Sequence, residues 1–349
     1  MEKVLIYGVG EFYRKHVEQV KNTYQIIGCV DRTGFLEGKV IPTSVNCFKE
    51  EYDYVLIMVI NIHACFEITT QLLKENVPYN KIILGLSIWG PFSSFDSIKV
   101  TKNGGYLLTK GDMKIQVSTE DEFHSVEEVI LMNCYQYHLN GDNKEIVFDV
   151  GMNIGDSTLY FLQSAKVAKV YGFEPFRKTY MDAINNLKPY VNSPRLSTYQ
   201  IGLSDHDEEK NAMFNKDMTC GQSTVDSFNQ HAVHNYINWG LVSEKNNETE
   251  IIQLRKSSQV FSDIIEKHPN CKYILKMDCE GEEYAIFKDL YQAGVLKKFH
   301  FIMMEWHYRG TDVLLNYLNE NGFSYFTIQK CFDPDLGLIY AWKENTNGD

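Results

Sequence analysis

The amino-acid sequence predicts an α/β chain made of two doubly wound units, and three observations carry that reading. Short apolar runs of strand length alternate with stretches whose apolar residues recur at helical spacing. The alternation occurs twice, over residues 1–88 and again from Glu145, each time opening on a strand, a glycine-rich turn and a helix. The length of 349 residues suits two domains, since one domain takes roughly 100–200 residues. Strands interleaved with helices imply mostly parallel sheets covered on both faces.

In the first unit, Val4 to Tyr7 reads as a buried strand, followed by Gly8-Val9-Gly10 and a helix through Asn22. Gln25 to Val30 is a second strand ending at Asp31. Tyr54 to Ile60 is a third, and Lys81 to Leu84 closes the unit. Between them Ala64 to Asn76 carries Cys65, Ile68 and Leu72 on one helical stripe. Residues 89–144 read as a β-rich and helical lead-in to the second domain. Ile98 to Val117 is broken by Asn103-Gly104-Gly105 and Lys110-Gly111-Asp112. Ser125 to Leu139 reads as a helix with Ser125 and Glu128 as a capping box.

The second unit, 145–349, is expected to place strands at Ile146–Val150, Lys169–Phe173, Ser197–Leu203, Tyr273–Met277 and His300–Met304. Phe323–Gln329 and Leu338–Trp342, joined through Asp333-Pro334-Asp335-Leu336-Gly337, read as a hairpin that adds an antiparallel strand near the C-terminus. Residues 206–257 show no clear rhythm, and an excursion of that length reads as a lid-like insertion. His231 and His234 within it lack acidic or cysteine neighbours and read as ordinary lid residues.

Composition narrows the function. Hydrophobic residues make up 44% and charged residues 23%, an ordinary globular balance. A net charge of −12 argues against a nucleic-acid partner, which needs clustered Lys and Arg to neutralise phosphates. No apolar stretch of ~18 residues suggests a membrane span. The start of the chain shows no secretory leader, and the eight cysteines form no C-x-x-C pair; both features read as a reduced, cytoplasmic protein. An oligomer is compatible with all of this.

The chemistry gathers at strand ends. Val147-Phe148-Asp149-Val150-Gly151-Met152-Asn153-Ile154-Gly155-Asp156 is a buried strand that ends in an acid and turns through glycines into a helix. Such glycines let backbone approach a ligand. The next strand ends in Glu174, where a carboxylate can accept both hydroxyls of an adenosine ribose. With no G-x-G-x-x-G to cradle a pyrophosphate, S-adenosylmethionine suits the turn better than a dinucleotide. Further on, Asp278 closes the fourth strand and is followed by Glu280, Glu282 and Glu283; Glu282 reads as a helix N-terminal charge. Glu305 and His307 end the fifth strand on the same edge. Asp278 or His307 could act as base toward a hydroxyl, while Glu280, Glu283 and Glu305 could bind a substrate through its hydroxyls. No spacing here defines a metal cage, so none is expected.

Five segments, VFDVGMNIGDST, VYGFEP, IGLSD, LKMDCEGEEYAIF and MMEWH, occur in the order that resembles the FkbM-type methyltransferase family, over about residues 145–307 and more weakly on either side. The resemblance implies a class I methyltransferase sheet, S-adenosylmethionine as cofactor, and O-methylation of a hydroxyl on a sugar, glycan or related natural product, as in polysaccharide modification. It implies that Asp149, Gly151, Asn153 and Gly155 line the methionine end, Glu174 the ribose, and Ser204 and Asp205 the adenine. In the first unit Gly8, Gly10 and Asp31 form an incomplete dinucleotide fingerprint, with Tyr13 at the third glycine position. That unit resembles small Rossmann domains of nucleotide-sugar and polysaccharide-modifying proteins, and both ligand binding and an assembly role stay open for it. The rival readings are an NAD-dependent oxidoreductase of sugar metabolism and a non-enzymatic nucleotide-sugar binding scaffold.

Overall fold

A computed structural model of the chain describes residues 1–343 apart from 37, 142, 229, 231–233, 235–236, 238–242 and 331–334. The chain divides into Met1–His124 and Ser125–Asp349.

In the first unit, β1 (Lys3–Tyr7), α1 (Glu11–Thr23), β2 (Gln25–Val30), a short β3/β4 pair (Phe35–Leu36, Lys39–Val40), β5 (Tyr54–Ile57), α2 (Ile62–Lys74) and β6 (Ile82–Leu84) follow in order. The main sheet runs β2-β1-β5-β6, all parallel. Val4, Leu5, Ile6, Val55, Leu56 and Ile57 are completely buried, as expected of parallel strands covered on both faces. Asn61 caps α2 by accepting the Ala64 N–H at 2.8 Å. After α3 (Leu86–Trp89), β7 (Ser97–Val100), β8 (Tyr106–Lys110) and β9 (Met113–Val117) form an antiparallel meander. It belongs to this unit because Tyr106 is fully buried against α2, its ring tilted 42° against that of Phe66 and its hydroxyl hydrogen-bonded to Thr69 at 3.0 Å.

The helix expected over Ser125–Leu139 begins earlier and ends sooner. The segment α4 (Glu120–Val126) runs into one π-helical turn over Glu127–Leu131. Its capping box is Thr119 and Glu122: the Thr119 hydroxyl accepts the Glu122 N–H, and the Glu122 carboxylate accepts the Ser118 N–H. Ser125 is inside the helix, and its hydroxyl donates to Asp156.

The second unit is a class I methyltransferase sheet. Its strands are β10 (Glu145–Val150), β11 (Val167–Phe173), β12 (Leu196–Tyr199), β16 (Lys272–Met277), β17 (Phe301–His307), β18 (Ser324–Gln329) and β19 (Leu336–Trp342), ordered β12-β11-β10-β16-β17-β19-β18. All neighbours are parallel except those of β19, which runs antiparallel to both β17 and β18. The pairing predicted for the last two strands is therefore present, while residues 333 and 334 of their connection lie outside the described residues. Helices α5 (Asp156–Leu162), α6 (Arg177–Asn186), α7 (Ser257–Lys267), α8 (Glu283–Gln292) and α9 (Asp312–Glu320) connect the strands. Phe148, Phe173, Phe261, Phe287 and Phe299 are all but completely buried in the core between them.

Two expectations need correction. The third strand, read as Ser197–Leu203, is two strands in different sheets: β13 (Gly202–Ser204) leaves the main sheet to pair with β15 (Asn247–Lys256). A side chain at Gly202 would reach within 2.6 Å of Leu254, so glycine permits that approach. The flanks of the 206–257 excursion are also ordered. They form a ribbon in which β14 (Glu208–Asn215) pairs antiparallel with β15 over their length. Its alternation is weak in sequence because only Ala212, Ile252 and Leu254 of the ribbon, with Phe176, form its small apolar cluster. Most of 229–242, including His231, falls outside the described residues, and with it the lid reading for that part.

Candidate active site

The turn after β10 is held from below. Asp149 is fully buried; its Oδ2 accepts the Ser157 and Thr158 hydroxyls at 2.7 and 2.5 Å, and its Oδ1 faces Lys276 Nζ at 3.3 Å. Parallel register sets Asp149 beside Lys276, which also donates to the Gly151 carbonyl at 2.5 Å. Burial opposes the charge on Lys276, yet Asp149, Asp278 and Asp156 outweigh it and raise its pKa. Asp149 thus holds the loop that would line a cofactor, rather than lining it. Above it, Gly151 (φ 71°) passes so close to β16 that a Cβ there would sit 1.7 Å from the Asp278 carbonyl oxygen. Gly155 (φ 86°) opens α5.

Asn153 sits between these glycines at φ 47°, an uncommon conformation for a side-chain-bearing residue. Its Nδ2 donates to Cys220 Sγ at 3.1 Å, and its buried Oδ1 accepts no hydrogen bond among the described residues. Glu174, 6% exposed at the end of β11, accepts the Phe176 N–H at 3.1 Å and the Asn153 N–H. Burial still pushes its carboxyl up to about 8. Burial thus outweighs the two N–H groups that Glu174 accepts.

Ser204 and Asp205 lie at and just after the end of β13, which has left the main sheet to pair with β15. Ser204 is buried and donates to Glu282 Oε2 at 3.0 Å. Asp205 pairs with His206 at 2.6 Å and borders a groove of about 350 Å³ lined also by Tyr284, Lys288, Arg309 and Tyr317, none of which belongs to the glycine turn. Glu282 does stand at the start of α8, but it is buried, with the Ser204 and Thr224 hydroxyls on its two oxygens.

The acid-rich edge forms where β16 and β17 end. Glu305 and His307 lie two residues apart on one strand and so share a face. His307 is 2% exposed; its Nδ1 donates to Glu283 Oε1 at 2.6 Å. Its Nε2 faces Glu280 Oε2 at 3.3 Å, Glu305 Oε1 at 3.8 Å and Asp278 Oδ1 at 3.9 Å. Burial disfavours charge on the imidazole, but Glu280 and Glu283 overcome it and raise its pKa well above the ordinary value. Glu280 is held at φ 54°, with its Oε1 accepting the Gly221 N–H at 3.1 Å. Burial raises its carboxyl, and raises that of Glu305 to about 7, even with Lys330 Nζ 2.9 Å from Glu305. Asp278 accepts the Tyr135 hydroxyl at 3.3 Å. Its side chain is 28% exposed and that of Glu280 23%, so these two face outward while Glu283 and His307 lie behind them.

Residues 149–325 match the methyltransferase FkbM domain. The chain belongs to that family. Residues 1–83 match a second domain described as C2185-like, N-terminal. No curated protein matches the chain. Among solved structures, it is similar to methyltransferase FkbM from Methylobacillus flagellatus KT, at 14% identity over 98% of this chain and 90% of that one, with a TM-score of 0.40. An rRNA methylase from Streptococcus thermophilus (12%, 58% and 88%, TM-score 0.33) and M. jannaschii TYW2 in complex with AdoMet (11%, 69% and 85%, TM-score 0.33) are also similar. Overlaps this loose bear on no substrate.

In this FkbM methyltransferase several supporting residues escape a reading of sequence alone. Lys276 carries the one visible signal, a lysine inside the apolar run Tyr273–Met277. Tyr135, Thr224 and Lys330 carry none, since each meets the edge only through the fold. No helix among the described residues is long and apolar enough to cross a membrane.

Proposed function

We propose that this methyltransferase moves a methyl group from S-adenosylmethionine to a hydroxyl of a sugar, glycan or related natural product. The observation that carries the reading is the contact between Gly151 and the Asp278 carbonyl, which sets the glycine turn directly against the acid-rich edge. The residues fit the donor: Asn153 Oδ1 has no hydrogen-bond partner among the described residues and suits an ammonium group, and Glu174 suits the two ribose hydroxyls. When bound, S-adenosylmethionine supplies an electrophilic methyl on sulfur.

A carboxylate accepts hydrogen bonds from hydroxyls, so Asp278, Glu280 and Glu305 favour an acceptor rich in hydroxyls. Asp278 is the outward-facing candidate base. As a base it would take the proton from the acceptor hydroxyl as the methyl group is transferred. His307, behind the acids, positions Glu280 rather than meeting the acceptor. Much of the acceleration comes from holding the hydroxyl in line, which can contribute several kcal/mol.

Calorimetric titration with S-adenosylhomocysteine and NAD, followed by labelled methyl transfer to nucleotide sugars, oligosaccharides and RNA, tests the reading. Binding of the first ligand alone and label in a sugar ether are expected. Label in RNA, or no binding of S-adenosylhomocysteine, sinks it.

A further inference from the structure

We propose that Asp278, Glu280 and His307 bind a divalent metal ion of the Mn²⁺ class at the carboxyl ends of β16 and β17. One oxygen from each acid and one nitrogen of the imidazole all lie within 4.8 Å of one another. Ligands at right angles, each about 2.1–2.2 Å from an ion, are roughly 3.0–3.1 Å apart. The Nε2 separations of 3.3 and 3.9 Å from Glu280 and Asp278 require less than an ångström of closure.

His307 supplies the independent sign of a ligand. It is 2% exposed, and its Nε2 is aimed into the cluster, 3.3 Å from Glu280 Oε2 and 3.9 Å from Asp278 Oδ1. Glu283, fully buried, grips the opposite nitrogen and leaves its own Oε2 without a hydrogen bond among the described residues. A carboxylate behind an imidazole is the usual support of a metal-ligating histidine, because it fixes the ring and frees the far nitrogen. Charge points the same way. The carboxylates of Asp278, Glu280, Glu283 and Glu305 face His307 and Lys330, while Lys276 is already paired with Asp149. Four acids against His307 and Lys330 leave the cluster with acid in excess, which a divalent ion would offset.

Two carboxylates and one imidazole suit Mn²⁺ better than Mg²⁺, which prefers oxygen alone. Three protein ligands leave positions for acceptor oxygens, and a hydroxyl bound there becomes more acidic, so with the ion bound Asp278 acts as its ligand rather than as a free base. That catalytic use rests on the methyl-transfer reading above; the binding of the ion does not.

The test uses the full chain after chelator treatment. Mn²⁺ titration followed by electron paramagnetic resonance is expected to show one saturable site per chain. Asp278→Asn with Glu280→Gln should weaken it at least tenfold. Glu283→Gln, which loosens only the ring, should weaken it about 10–100-fold. Because buried variants can misfold, the unaltered protein carries a second readout: the spin-echo spectrum of bound Mn²⁺ should show nitrogen modulation from His307. Absence of saturable binding, or bound Mn²⁺ without nitrogen coupling, overturns the proposal. S-adenosylhomocysteine titration on the same sample separates these outcomes from failure of the methyl-transfer reading.

Discussion

The chain contains the same turn twice, and its two acids are used in opposite ways. In the first unit Asp31 ends β2 beside Gly8-Val9-Gly10, and its own loop occupies it: Oδ2 accepts the Val9 N–H, and Oδ1 accepts both the N–H and the hydroxyl of Thr33. Burial opposes its charge, but those N–H groups hold its carboxyl below the ordinary value. In the second unit Glu174 ends β11 beside Gly151 to Gly155, more deeply buried, with its carboxyl lifted to about 8. For one acid the hydrogen bonds outweigh burial, and for the other burial outweighs the hydrogen bonds. A glycine turn followed by an acid at the next strand end therefore marks a place where a site can form; the hydrogen bonds decide whether one does.

The largest expected effect sharpens the second half of that contrast. Asp278→Asn should lower turnover ~10²–10⁴-fold, the usual contribution of a positioned base. Affinity for S-adenosylhomocysteine, measured by calorimetry, should change less than about threefold. An equal loss in both would move Asp278 to the cofactor.

Glu174→Ala comes next. Each lost hydrogen bond to a charged group costs about 1.5–3 kcal/mol, so S-adenosylhomocysteine should bind roughly 10–150-fold more weakly, with the thermal midpoint little changed. Unaltered affinity would make Glu174 as structural as Asp31.

The same residue sets a pH dependence. Burial raises the Glu174 pKa to about 8, so in the free protein the group is mostly protonated below that value. Ribose hydroxyls bind the ionised form better, and affinity should therefore rise with pH, by up to about tenfold per unit, levelling off above 8. Glu174→Gln should flatten the profile. A profile unchanged by that substitution would assign the proton elsewhere.

The smallest effect belongs to the first unit. Asp31→Ala should lower stability by roughly 1–3 kcal/mol through its lost hydrogen bonds, measured by denaturant unfolding. It should leave S-adenosylhomocysteine affinity within about twofold. A large loss of affinity would end the contrast between the turns.

How much was legible in sequence follows from the distance over which each feature is encoded. Strand β10, its glycine turn and the start of α5 are local, and buried parallel strands leave continuous apolar runs that mark them directly. The antiparallel end of the sheet was legible for the same reason, as two apolar segments flanking a turn. Ser204 and Asp205 could not be placed, because their position depends on β13 leaving one sheet for another, and a run such as Ser197–Leu203 looks alike in either case. The acids were visible as residues, but their convergence was not. Glu280 and His307 meet only because β16 and β17 pair in parallel and end on one edge, with Glu283 turning the imidazole from the helix between them. Sequence thus determined which strand ends carry chemistry, since local periodicity and glycine conformation are written residue by residue. Tertiary structure alone decided which polar atoms face one another and which remain unpartnered, because hydrogen bonds, ion pairs and burial join side chains far apart along the chain.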